Sequence, residues 1–120
     1  MVPPEGYLKE AERLCRQHGA LLIVDEIQSG LGRSGKLFAY EHEGVQPDAV
    51  IIGKALSGGF LPVSAVLARQ EVLGVFKPGD HGSTFGGSPL AAATARAALK
   101  VLVDENLIER SRELGDYFMA

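Results

Sequence analysis

Apolar residues along the chain recur in two distinct rhythms, and the changes between them divide it into helices and strands. Leu8, Ala11, Leu14 and Cys15 fall three to four positions apart and give one apolar face, the pattern of an amphipathic helix. Pro3, Pro4 and Glu5 suit the opening of that helix, because proline is tolerated in a first turn and an acid complements its positive end. Gly19 suits its stop, with His18 placed to meet the last carbonyls. Leu21 to Val24 is instead a short continuous apolar run with β-branched members, as in a strand covered on both faces within a parallel sheet. Ala49 to Ile52 repeats that pattern. The 23 residues from Glu26 to Asp48 leave room for a crossover, so the two strands can run parallel.

A third apolar run, Val63 to Ala68, follows Pro62. Only eight residues, Lys54 to Leu61, precede that proline, too few for a helical crossover. The third strand is therefore expected to lie antiparallel to the second. From Ser88 an alanine-rich stretch reads as a helix to about Glu105, opened by Pro89 in its first turn. A second helix is expected over Leu107 to Phe118, with Asn106 as the break. The fold class is α/β, a mostly parallel sheet with one antiparallel strand.

Composition narrows the function. Hydrophobic residues make up 46% and charged residues 22% of the 120 positions, an ordinary globular balance. A net charge of -3 argues against a general affinity for nucleic acid or an anionic membrane surface. No apolar run approaches the roughly 18 residues of a membrane span. The single cysteine, Cys15, cannot close an internal disulfide and fits a reducing compartment. The start shows neither a signal peptide nor an Arg-rich transit pattern. His18, His42 and His81 lack metal-ligand spacing, so no metal site is expected.

Many of the 15 glycines are grouped: Gly30, Gly32 and Gly35, then Gly53, Gly58 and Gly59, then Gly79, Gly82, Gly86 and Gly87. Such groups mark sharp turns or close approach to a ligand, and suggest a site assembled from loops. Asp25 and Lys54 each stand where a buried strand stops, and ligands of open α/β sheets bind beyond the carboxyl ends of strands. A carboxylate and an amine at one rim suit pyridoxal phosphate (PLP), which needs an amine for its aldehyde and an acid for its ring nitrogen. From spacing alone, a structural ion pair or two unrelated loop residues fit as well. Gly53-Lys54-Ala55 lacks the Ser or Thr and the upstream glycine of a phosphate-binding P-loop.

Three blocks carry a resemblance. Leu21 through Asp25-Glu26-Ile27-Gln28-Ser29-Gly30 to Gly35, then Gly53-Lys54-Ala55-Leu56-Ser57-Gly58-Gly59, then His81 to Pro89 resemble, in order and spacing, the class III aminotransferases. Their fold is the aspartate-aminotransferase type of PLP-dependent transferase (fold type I). The resemblance implies that Lys54 forms the Schiff base and acts as general acid and base, that Asp25 pairs with the pyridinium nitrogen, and that Gln28 reaches the phenolic oxygen. It implies that Thr84, with Ser83 beside it, binds the cofactor phosphate of a neighbouring subunit in a homodimer. Ser83 and Thr84 could instead end a loop and cap the helix from Ser88. Arg33 reads as an exposed turn residue, and Glu26 as a maker of local hydrogen bonds.

Within the class, the runs Lys54 to Ala68 and Lys77 to Thr84 are most similar to the ornithine aminotransferases. Their reaction moves the δ-amino group of ornithine to 2-oxoglutarate, so amino-acid and 2-oxo-acid substrates are implied. Acetylornithine aminotransferases share the first and third blocks and are the alternative. Members are about three times this domain-sized length. Residues 1–120 are therefore expected to be the cofactor-lysine part of a PLP-binding large domain, without its N-terminal part and without the small C-terminal domain. A cytoplasmic enzyme is expected, with the isolated piece inactive. In the competing view, the chain is a non-catalytic interaction module.

Overall fold

A computed structural model describes residues 3–120. In chain order they form α1 (Tyr7–Gln17), β1 (Ile23–Asp25), β2 (Ala49–Ile52), β3 (Ala65–Ala68), a short α2 (Gln70–Leu73), α3 (Pro89–Asp104) and α4 (Leu107–Met119). Two 3-10 turns, Ala39–His42 and Lys54–Ser57, lie in the connections. The sheet has the order β1-β2-β3. β1 and β2 are parallel, with Ile23 opposite Ala49 and Asp25 opposite Ile51. β3 is antiparallel to β2, pairing Ala65 with Ile52 and Ala68 with Ala49. The crossover length and the short second connection thus predict both senses of pairing, as expected.

Two expectations about ends and faces need correction. The first helix does not open at Pro3-Pro4-Glu5. Gly6 has a left-handed φ of 81° and stands outside the helix, and the Tyr7 amide closes a turn onto the Pro4 carbonyl at 3.2 Å. At the other end the backbone amide of His18 reaches Leu14 O at 3.0 Å, while its ring has no hydrogen bond among the described residues. The strand run Leu21–Val24 is not covered on both faces either. Leu22 and Val24 are buried, whereas Leu21 and Ile23 remain more than half exposed. Directly paired residues share a face, so Ile23 and Asp25 stand with Ile51 and Val66 on the open side. Continuous apolarity announced two buried faces, and this chain supplies a cover for one.

On the covered face, Leu22, Val24, Val50 and Ile52 pack with Leu31, Leu56 and Ala95, and Leu99 and Leu102 of α3 close over them. Asn106, at a left-handed φ of 53°, breaks the chain between α3 and α4 as its position suggested. α4 then returns against the first glycine group. A Cβ on Gly35 would lie 3.0 Å from Arg112 Cβ, and one on Gly32 would lie 3.1 Å from Ile108 Cγ1. The hydroxyl of Ser111 donates to Arg33 O at 3.4 Å. Gly32 and Gly35, at left-handed φ of 89° and 82°, make the sharp turns expected of that group and admit α4 close against the loop. Arg33 is exposed, as expected.

The amino ends of the strands are tied by a residue that the sequence pattern did not single out. Asp48 is 2% exposed. Its Oδ2 accepts from the Leu22 amide at 2.8 Å and from Arg16 Nη1 at 2.7 Å, and its Oδ1 accepts from Arg69 Nη2 at 2.6 Å. One carboxylate thereby joins α1, the approach to β1, the start of β2 and the exit from β3. The Leu22 amide first, then the Arg16 guanidinium, hold this carboxyl below the usual aspartate range. A depressed folded-state pKa gives stability that is present above the unfolded pKa and lost as pH falls through the folded one.

Asp48→Ala leaves the Leu22 amide without its acceptor, and should lower the unfolding free energy by about 1–3 kcal/mol. Urea unfolding of the protein that carries this chain checks that figure. The deficit of the variant relative to the parent should be full at neutral pH and shrink in acid, below the unfolded aspartate value of about 3.9.

Candidate active site

Parallel pairing brings the carboxyl ends of β1 and β2 to one rim, and the candidate chemistry gathers there. Asp25 is the last residue of β1, and its Oδ1 accepts from the Ile27 amide at 2.9 Å, turning the chain sharply. Among the described residues its other oxygen has no partner, and the side chain is exposed. The turn closes as the Gly30 amide reaches Glu26 O at 2.9 Å. Gln28 stands at its tip. Glu26, only 3% exposed, accepts from Ser29 Oγ at 2.6 Å and from the Tyr40 amide at 2.9 Å. The first bond is local, as expected for Glu26; the second spans 14 residues and pins the loop that follows. Burial, with the charges of Glu41 and Glu26 behind it, raises the Tyr40 hydroxyl above its ordinary pKa.

At the end of β2, Gly53 is extended and Lys54 enters the left-handed region at φ 44°. Lys54 begins the 3-10 turn, which is anchored by buried Leu56 and Ser57 and seated on α3, where a Cβ on Gly58 would come 3.3 Å from Ala98 Cβ. From this base the Lys54 amine crosses to the neighbouring strand's turn and donates to Gln28 Oε1 at 3.2 Å. A Cβ on Gly53 would touch Ile27 at 3.6 Å, so the two turns pack directly together.

A cleft of about 720 Å³ opens beside the lysine, lined by Lys54, Ser57, Ser64, Phe60, Ser83 and Phe85 among others. Lys54, Gln28 and Ser83 are thus brought together or share one cleft, and Asp25 ends the adjoining strand. Thr84 is exposed and does not line this cleft. Ser83 Oγ accepts from the Gly86 amide at 3.1 Å, and α3 has no side-chain cap, so neither hydroxyl caps that helix. The other cavity, about 780 Å³ between Leu31, Ala98, Leu102 and Leu107, is mostly apolar; its lining carries the hydroxyls of Ser57 and Thr94 but no carboxylate, amine, imidazole or thiol. Sequence reasoning missed the reach of Glu26 to Tyr40, and a second carboxylate within the first block is the only sign of it.

Comparison with known proteins defines the class. The family model for class III aminotransferases matches residues 1–120, and the chain belongs to that family. It is 66% identical over 117 residues to ornithine aminotransferase 2 of Staphylococcus saprophyticus, covering 98% of this chain and 30% of that protein. The ornithine aminotransferase of Toxoplasma gondii crystallised with oxidised glutathione, described as having PLP at partial occupancy in its active site, superposes with a TM-score of 0.95 at 56% identity, over 98% of this chain and 28% of that one. An acetylornithine aminotransferase from Elizabethkingia anophelis superposes at 0.94 with 59% identity, over 98% and 29%. The chain thus spans about 30% of the curated relative's length, and its fold is that of the PLP-dependent, fold type I aminotransferases.

The left-handed backbone of Lys54 costs a side-chain-bearing residue about 1–2 kcal/mol that glycine avoids. Lys54→Gly should therefore be more stable than Lys54→Ala by about 1 kcal/mol in cofactor-free protein, reversing the usual order for the two residues. Paired denaturant unfolding curves check the order.

Proposed function

We propose that residues 1–120 are the cofactor-lysine part of the large domain of a PLP-dependent aminotransferase that moves the δ-amino group of ornithine to 2-oxoglutarate. The observation that carries this reading is the Lys54 amine held 3.2 Å from Gln28 Oε1, at the rim where Asp25 ends the parallel neighbour strand. The residues present fit the cofactor: an exposed amine in an open cleft and, at the end of the neighbouring strand, a carboxylate oxygen left free. When bound, PLP supplies an electron sink for the bonds at the substrate carbon.

The chain's own groups do the rest. Lys54 would hold the cofactor through its amine and would move a proton to and from the substrate carbon. Asp25 would accept from the protonated ring nitrogen through its free oxygen and keep that proton in place. Gln28 would donate its amide to the phenolic oxygen and so help orient the cofactor beside Lys54. Ser83 and Thr84 donate to the phosphate held by a second copy of the chain. The exposure of Thr84 outside its own cleft suits that task, and Phe60 and Phe85, 84% and 86% exposed beside the cleft, suit burial in a homodimer. The single cysteine, unpaired, is in keeping with a cytoplasmic setting. A second reading, acetylornithine as amino donor, is favoured by the 59% identity to the Elizabethkingia anophelis structure.

Treating the cofactor-loaded protein with borohydride should fix the label on Lys54, as read by peptide mapping; a label on another lysine would reject the assignment. Lys54→Ala should lower turnover of ornithine with 2-oxoglutarate by roughly 10²–10⁴-fold or more. Asp25→Asn should keep the cofactor yet slow turnover by roughly 10- to 100-fold, the worth of one charge-assisted hydrogen bond. Assaying ornithine beside N-acetylornithine decides between the two donors.

A further inference from the structure

Glu26 stands between Asp25 and Gln28, out of solvent, and its carboxylate partners among the described residues are a hydroxyl and a backbone amide, not a cation. A carboxylate withdrawn from water without a counter-charge costs free energy that an apolar residue of the same size does not. Its hydrogen bonds show what it holds in return. Ser29 Oγ, on the Gln28 turn, donates to Oε2 at 2.6 Å, and the Tyr40 amide donates to Oε1 at 2.9 Å. Through its backbone, Glu26 donates to Ile51 O at 2.9 Å on β2 and accepts from the Gly30 amide at 2.9 Å. Gly30 is so close that a Cβ there would sit 2.7 Å from Glu26 O. Every one of these ties bears on the short arc that presents Gln28 to Lys54.

We infer that Glu26 is a positioning residue for the reaction: its buried carboxylate clamps the turn at Ser29 and the following loop at Tyr40, so that the Gln28 amide is held at the lysine-bound end of the cofactor. The inference rests on the reading that Lys54 and Gln28 face PLP. Glu26 touches neither substrate nor cofactor and acts through Gln28.

The test uses the full-length, cofactor-loaded enzyme, with the visible absorbance maximum of the bound cofactor read beside kcat and KM. Glu26→Ala should shift that maximum in the direction given by Gln28→Ala, and lower kcat by roughly ten- to a hundredfold with KM changed by less than about threefold. Glu26→Gln, which can still accept from the Tyr40 amide and donate to Ser29 Oγ, should restore most of both. Combining Glu26→Ala with Gln28→Ala should add little to Gln28→Ala alone, since the first acts through the second. Ser29→Ala, milder for folding, should shift the maximum the same way and carries the test if Glu26→Ala does not fold. Losses that multiply in the double variant, or a parental spectrum in Glu26→Ala or Ser29→Ala with only thermal stability lowered, would overturn the inference alone. A parental spectrum in Gln28→Ala would overturn the cofactor reading with it.

Discussion

Everything at the rim depends on β1 and β2 lying parallel and in one register, because only then do Asp25 and Lys54 leave the sheet side by side. The pairing itself is short, three residues long, and parallel ladders are slightly weaker per residue than antiparallel ones. What fixes it lies at the opposite end. The Asp48 carboxylate receives the Leu22 amide just ahead of β1 and guanidinium groups from α1 and from the exit of β3. A one-residue slip would carry Val24 from the covered face to the open one and take Leu22 away from Asp48. Hydrophobic burial and a polar anchor therefore select the same register.

The rim converts that register into a site through two turns built in different ways. The Asp25 turn is held by side chains: Asp25 on its own Ile27 amide, Glu26 on Ser29 and Tyr40. The Lys54 turn is held by packing, with Leu56 and Ser57 buried against α3, and its backbone strain falls on the lysine itself. Strain of this kind persists only where the surroundings over-determine it. Here the supports are the extended Gly53 before it and the buried turn after it.

How much of this was legible in the sequence depended on the range of each interaction. Strands, their senses and the helix break at Asn106 followed from local pattern and connection length, and the carboxylate and amine could be placed at strand ends for the same reason. Side-chain partners far along the chain could not be read. Nothing near Asp48 announces Arg16 or Arg69, and nothing near Glu26 announces Tyr40. Gly32 and Gly35 turn sharply, as their grouping suggests, but a close approach leaves the same mark in the sequence whatever approaches, so the proximity of helix α4 could not be read there. The run Leu21–Val24 was misread for a related reason: apolar side chains state a need for cover without saying which segment provides it.

The lodging of α4 against Gly32 and Gly35 has a mechanical corollary. These glycines lie four and seven positions beyond Gln28, in the loop whose far end Tyr40 is pinned to Glu26. The helix thus serves as a backstop behind the arc that carries the glutamine. Loosening that distant helix would reach the candidate rim as slack in the loop while leaving Asp25, Gln28 and Lys54 themselves unaltered.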